Sequence, residues 1–325
     1  MHFAYAALSD RVLAIDGDAV DDCLVGHDIE CVAADPAAPD RAFVGTADDG
    51  LQRTTDGGAS WTRVLDAGDR VTSVTVGPHG PDVVWAGTEP SAVYRSTDGG
   101  ETWAERPGLT GLESSSRWSF PPRPHTHHVR WIALAPDDPE RVYVAIEAGA
   151  FVRSSDGGET WVDHPEGARR DNHTLATHPD APERVYTAAG DGYALSTDRG
   201  ATWSHPQDGL GHRYVWGLAV RPDDPDGVVV SAASGPRSAH STSGESYVYR
   251  WTGDRWAVAM AGLPGPEGLA RPVLAADPEG GLVALTNHGL FRSAAGAEWA
   301  AAWPETGVAD WPSEYDQVPS GLAVV

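Results

Sequence analysis

The sequence predicts an all-β protein, a single seven-bladed β-propeller spanning residues 1–325. Three observations carry this reading. A turn motif of the form Ser/Thr-x-Asp-x-Gly-x-x-Trp recurs four times, as Thr54–Trp61, Ser96–Trp103, Ser154–Trp161 and Ser196–Trp203. Its spacing is periodic: Asp56 to Asp98 and Asp156 to Asp198 are each 42 positions, the length of a four-stranded blade. The two chain ends also supply complementary parts of one further blade.

The motif residues explain themselves as a hairpin turn. An Asp carboxylate accepts bonds from nearby backbone N–H groups that the turn cannot pair in a ladder. Gly58, Gly100, Gly158 and Gly200 suit positive φ. Trp61, Trp103, Trp161 and Trp203 open the next strand with a large apolar plate that packs against a neighbouring hairpin. The local bonding assigns Asp56, Asp98, Asp156 and Asp198 a structural role rather than a catalytic one.

The chain then divides in order. Blade one uses Cys31–Ala34, Arg41–Thr46, Leu51–Thr54 and Trp61–Leu65. Blade two uses Val71–Val76, Val83–Thr88, Ala92–Ser96 and the run from Trp103. Blade three starts with Val129–Ala135 and continues with Arg141–Ile146, Ala150–Arg153 and the run from Trp161; β-branched and aromatic residues dominate these segments. Blade four uses Thr174–Thr177, Arg184–Ala188, Tyr193–Ser196 and the run from Trp203. Two blades lack the motif: blade five (Trp216–Val220, Val228–Ala232, Tyr247–Trp251, Trp256–Met260) and blade six (Val273–Ala276, Leu282–Leu285, Leu290–Ser293, Trp299–Trp303). Phe3–Leu8, Arg11–Ile15 and Ala19–Val25 give three strands of a seventh, with turns at Ser9-Asp10 and Asp16–Asp18. Ser320–Val324 resembles the inner strand Trp216–Val220, so the C-terminus is expected to supply the missing strand and leave no open edge. No helix of any length is evident.

Composition narrows the function classes. There are 47 acidic residues against 23 basic ones, a net charge of −24, and every basic residue is Arg. Such a surface repels nucleic acid and anionic membranes. It predicts a protein held soluble in concentrated salt, in the cytoplasm of a halophilic organism. The first residues show no basic stretch followed by an apolar one, and no run is long enough to cross a membrane. Two cysteines, Cys23 and Cys31, exclude a disulfide scaffold and read as buried thiols.

Strand direction puts the Asp turns on one face and the blade-to-blade connections on the other. Two insertions, at about residues 107–127 and 234–246, fall on the second face, and extra loop length there points to function. Aligning the inner strands puts Asp28, Arg70, His128, Asp171, Tyr214, Arg271 and Gln317 at the channel mouth. His127, Arg130, His173 and Arg213 lie close in register, and Glu147, Asp191 and His288 come from hairpins on the same face. The expected ligand-binding set is therefore His127, His128, Arg130, Asp171, His173, Arg213, Tyr214 and Arg271, suited to a carboxylate, a phosphate or a sugar. His125, His127 and His128 form a weak metal candidate that Glu147 or His173 would have to complete; a solvated His-rich loop is the plainer reading. No Gly-rich phosphate loop, nucleophile elbow or HExxH occurs, and no cofactor is expected.

The four motifs are similar to the Asp box, or BNR repeat. Asp35–Trp61, and more loosely Ala135–Trp161, follow its extended form DPxxPxRVYVGTxxGLFRSTDGGxTW. The chain thus resembles the Asp-box propellers: sialidases, two-propeller xyloglucanases, sortilin-type receptor domains and photosystem II assembly factors. The sialidase resemblance implies an arginine triad (Arg70, Arg213, Arg271), a Tyr214 nucleophile with a Glu partner, and Asp28 as acid/base. Against it, no Arg-Ile-Pro motif occurs near the N-terminus, and seven blades depart from the six-bladed sialidase ring. The xyloglucanases need a second propeller and the sortilin type a Cys-rich extension. The single-propeller assembly-factor type fits the size best and implies binding without catalysis. The expected function is binding of a protein partner or a small anionic or carbohydrate ligand on the loop-rich face, with sialidase-like hydrolysis as the alternative.

Overall fold

A computed structural model of the chain describes residues 3–17, 19–35, 37–66, 70–303 and 311–325; Asp18, in the expected Asp16–Asp18 turn of the seventh blade, lies outside them. Seven antiparallel sheets form a closed ring. The terminal blade is built as the repeats imply. Gly321–Val324 pairs antiparallel with Phe3–Ala7, from Ala4 opposite Val324 to Ala7 opposite Gly321, and Val12–Asp16 and Ala19–Cys23 follow outward.

Hydrophobic packing runs between blades, not within them. Each of seven buried clusters draws on two adjacent sheets. Leu13 and Ile15 of the terminal blade meet Val283 and Leu285 of blade six on one side. On the other side Tyr5 and Val12 meet Ala42 and Val44 of blade one. A sheet with both faces covered this way reads as near-continuous apolar strands, as in the wholly buried Val142–Ile146.

The Asp turns bond as their residues require. In blade two, Ser96 Oγ donates to Asp98 Oδ1 at 2.7 Å and accepts from the Gly100 N–H at 2.9 Å. Thr102 donates to Asp98 through its N–H at 2.9 Å and its hydroxyl at 2.5 Å. The same pattern holds Asp56, Asp156 and Asp198, and these bonds hold all four carboxyls below the usual range; burial opposes the shift at Asp198. Each Trp leans on the preceding blade. Trp61 lies edge-on to Tyr5, Trp203 edge-on to Phe151, Trp161 donates to the Pro107 carbonyl, and Trp103 joins the cluster around Phe43.

Two expected fourth strands are shorter than the repeat suggests. After Trp161 and Trp203 only the single bridges Arg153–Val162 and Leu195–Ser204 form. Pro165 and Pro206 follow closely; proline has no N–H to donate, so the ladder cannot extend. The insertion after blade two carries two short 3₁₀ turns, Leu109–Gly111 and Glu113–Arg117, and the one inside blade five carries a single helical turn, Pro236–Ala239.

Candidate functional site

The inner strands of blades one to five share a register break near their first residues. It falls between Ile29 and Cys31, Val71 and Ser73, Val129 and Trp131, Asn172 and Thr174, and Val215 and Leu218. A β-bulge leaves one residue unpaired and re-aims its side chain. The residues so released are Glu30, Thr72, Arg130 and His173, and in blade five both Trp216 and Gly217. Thr72 and His173 use the freedom to bond the next blade, Thr72 Oγ1 to the Val129 carbonyl at 2.7 Å and His173 Nδ1 to the Val215 carbonyl at 2.7 Å. Glu30, Arg130 and Trp216 line a cavity of about 180 Å³ at the channel mouth.

Trp216 in this lining gathers cations and rings on its indole. The Arg271 guanidinium lies 4.1 Å and the Arg130 guanidinium 4.7 Å from its ring centroid. His173 packs against the same ring at 4.3 Å and His240 meets it edge-on at 4.5 Å. Cation–π contact compensates part of the cost of burying a guanidinium, but it does not satisfy N–H donors. Arg130 has a carboxylate nearby: its Nε is 3.5 Å from Glu147 Oε2. Arg271 differs. It is 7% exposed, no carboxylate among the described residues lies within ion-pair distance, and its Nε and Nη1 are buried without a partner. Burial first, and then the charge of Arg130, bring its pKa down to about 9.

Carboxylates around the mouth are already engaged. Arg70 bonds Glu30 and stands 3.8 Å from Asp28. Arg123 holds Glu89 with two bonds, of 2.6 and 2.5 Å. His128 Nε2 contacts Glu147 Oε2 at 3.1 Å. Burial alone would raise the Glu147 pKa, yet that hydrogen bond and the charges of His173, His128 and Arg130 hold it at about 2. Four arginines and two glutamates line the cavity, a locally positive patch in a chain of net charge −24.

The expected site residues separate into groups. His128, Arg130, Arg271 and Arg70 line the cavity. Tyr214 stands behind it with its hydroxyl 3.2 Å from His240 Nε2; burial, with Glu147 and Asp171 nearby, pushes its pKa up. Asp171 and His173 lie beside Glu147, and one ligand atom from each of the three falls within 4.8 Å of the others. Burial raises the Asp171 pKa, and burial lowers that of His173. A metal there would compete with His128 and Arg130 for Glu147. His127 bonds Ser91 at 2.8 Å and packs on Trp118, while His125 is exposed, so the three expected histidines do not converge. Arg213 is exposed and outside the cavity lining, and Asp28 sits at the rim. Gln317 is taken up by Ser9 and Asp10, Asp191 by Arg169, and His288 by Asn287 and the Gly268 carbonyl.

Several mouth residues had no signal in the sequence. Glu30 and Trp216 needed the bulges. Phe120, Arg123 and His240 come from the two insertions, whose conformation no repeat specifies.

Ring, repeat and mouth together define the class: a seven-bladed Asp-box β-propeller. The model of the BNR/Asp-box repeat matches residues 94–105. No curated protein sequence matches the chain significantly. Among solved structures, the GH74 xyloglucanase from Xanthomonas campestris superposes with a TM-score of 0.66 at 19% identity, over 99% of this chain and 52% of the enzyme. An ancestral GH74 enzyme does so at 0.64 and 17%, over 94% of this chain and 38% of the enzyme. YCF48 bound to D1 peptide matches at 0.55 and 18%, over 84% of this chain and 81% of its own. The chain therefore spans about half or less of these two GH74 enzymes but most of YCF48. At these identities the likeness is one of fold. Among the described residues no helix is long and apolar enough to cross a membrane.

Proposed function

We propose that this propeller is a binding protein whose channel mouth receives one anionic group of its ligand or partner, and that it performs no chemistry on it. The observation that carries this reading is Arg271: buried, with two unpartnered N–H donors, stacked on Trp216 beside Arg130. A bound carboxylate or phosphate would give one of those donors a charge-assisted bond and offset the repulsion between the two guanidiniums. Neighbours of the same fold include both xyloglucanases and a peptide-bound propeller, so fold alone does not choose between enzyme and binder. The test is thermal stability at constant ionic strength with chloride exchanged for acetate or sulfate. Wild type is expected to gain stability and Arg271→Gln to gain none; equal responses would end this reading.

One observation favours a second reading, a glycoside hydrolase. Asp171 and Glu147 lie close together with pKa values pushed in opposite directions, the pattern of an acid and a base. Two features speak against it. Asp171 is not part of the cavity lining, and the Trp216 ring a sugar would stack on is already covered by Arg130, Arg271 and His173. The sialidase-like assignment also asks Arg213 to join Arg70 and Arg271, and asks Tyr214 to ionise where burial opposes it. Turnover of fluorogenic glycosides, sialosides included, that is lost on Asp171→Asn or Tyr214→Phe would make this an enzyme.

A further inference from the structure

We infer that the ligand of the Arg271 mouth is a small hydroxylated monocarboxylate, about the size of glucuronate or smaller, and not the carboxyl group of a protein chain. The inference rests on the binding reading above and adds what fills the site.

Size is the first argument. Both insertions reach over the mouth and are fastened there. The Pro236–Ala239 turn is tied to the ring by the Arg271 N–H, which donates to the Ala239 carbonyl at 2.9 Å. Its next residue, His240, bonds Tyr214 and meets Trp216 edge-on. On the other side Phe120 lies edge-on to His128 at 4.5 Å, and Arg123, stacked on Phe120, is latched to Glu89 by two hydrogen bonds. The space left between the two fastenings is about 180 Å³. Pockets for drug-sized ligands start at roughly 300 Å³. A compact acid fits the smaller space, whereas a carboxyl on a folded surface would have to reach Arg271 between Phe120, Arg123 and His240.

Charge and hydrogen bonding give the class. One buried cation without a carboxylate asks for one negative charge, and a carboxylate oxygen can accept from Nε or from Nη1 of Arg271, which face different sides of the guanidinium. Beside its arginines the lining also holds acceptors. Arg70 holds Glu30 through Oε1, which fixes a carboxylate toward the cavity, and Ser320 of the C-terminal segment stands in the same lining. Acceptors opposite an anion site call for a ligand that also carries donors, and hydroxyls supply them without adding charge.

The test is titration calorimetry at constant ionic strength with gluconate, glucuronate, acetate, inorganic phosphate, and acetyl-Ala-Ala-Ala bearing either a free or an amidated terminus. Gluconate or glucuronate is expected to bind at one site per chain and more tightly than acetate. Arg271→Gln should weaken that binding at least tenfold, and Glu30→Gln should bring it close to that of acetate. Arg255→Gln, on an exposed turn, should change nothing. Arg271→Lys keeps the charge and loses the guanidinium's fixed donor directions, so it serves if the glutamine variant does not fold; it too should weaken binding. If the free-carboxylate peptide binds through Arg271 and the hydroxy acids do not, this inference fails while the binding reading stands. If phosphate binds more tightly than either hydroxy acid, the inference also fails. If no probe shows a dependence on Arg271, both fail.

Discussion

Arg271 and Glu147 line the same cavity and carry opposite liabilities. Glu147 is buried, ionised and paired. Its folded pKa, about 2, lies below the ordinary 4.5, so it contributes stability that is present above pH 4.5 and is lost as pH falls toward 2. The shift is worth about 3 kcal/mol. Glu147→Gln should therefore destabilise the protein at neutral pH by about 3 kcal/mol, since it strands Arg130, and should flatten the acid limb of a stability–pH curve. Arg271 runs the other way. Its pKa of about 9 lies below the ordinary 12.5, so its charge costs stability at neutral pH and the cost fades as pH rises through that interval. Arg271→Met should raise the midpoint of urea unfolding in ligand-free protein; a large loss instead would mean that the guanidinium has a structural partner.

At the scale of elements, the blades were legible in the sequence and the mouth only in part. Period and Asp turns located the inner three strands of every blade, because the motif bonds are local and the apolar strands repeat, but not the loss of the fourth strands after Trp161 and Trp203. The bulges were not legible, because they depend on how neighbouring blades share carbonyls, as Thr72 and His173 do. Without them a simple alternation sets Arg213 beside Tyr214 at the mouth, whereas Arg213 is exposed and the arginines that line the cavity with Arg70 and Arg271 are Arg130 and Arg123. His240 and Phe120 were hidden for a different reason: each sits in an insertion that no other blade repeats. The Asp turns themselves couple adjacent blades, and Gly100 shows how tightly. Its φ is 83°, and a Cβ there would come within 2.6 Å of Phe43 in blade one. Gly100→Ala should cost roughly 2–4 kcal/mol, combining left-handed strain with overpacking, and chemical denaturation would measure it. A neutral outcome would show that the turn is free to shift away from its neighbour.

The whole molecule is a ring closed by its two termini, with a negative surface around one positive mouth. Removing residues 321–325 would uncover the Phe3–Ala7 edge and open the ring, and the melting transition should fall and broaden. With a net charge of −24, stability should climb with KCl between about 0.1 and 2 M as self-repulsion is screened. A flat response would count against a halophilic origin. The mouth gathers four arginines against this net charge, and the account centres on a single anion held there by Arg271. A bromide soak read by anomalous scattering tests that claim most directly. The account predicts a bromide peak in the cavity within hydrogen-bond reach of Arg271 Nε or Nη1, beside the guanidinium stacked on Trp216. Strong peaks elsewhere, with only water beside that guanidinium, would contradict it.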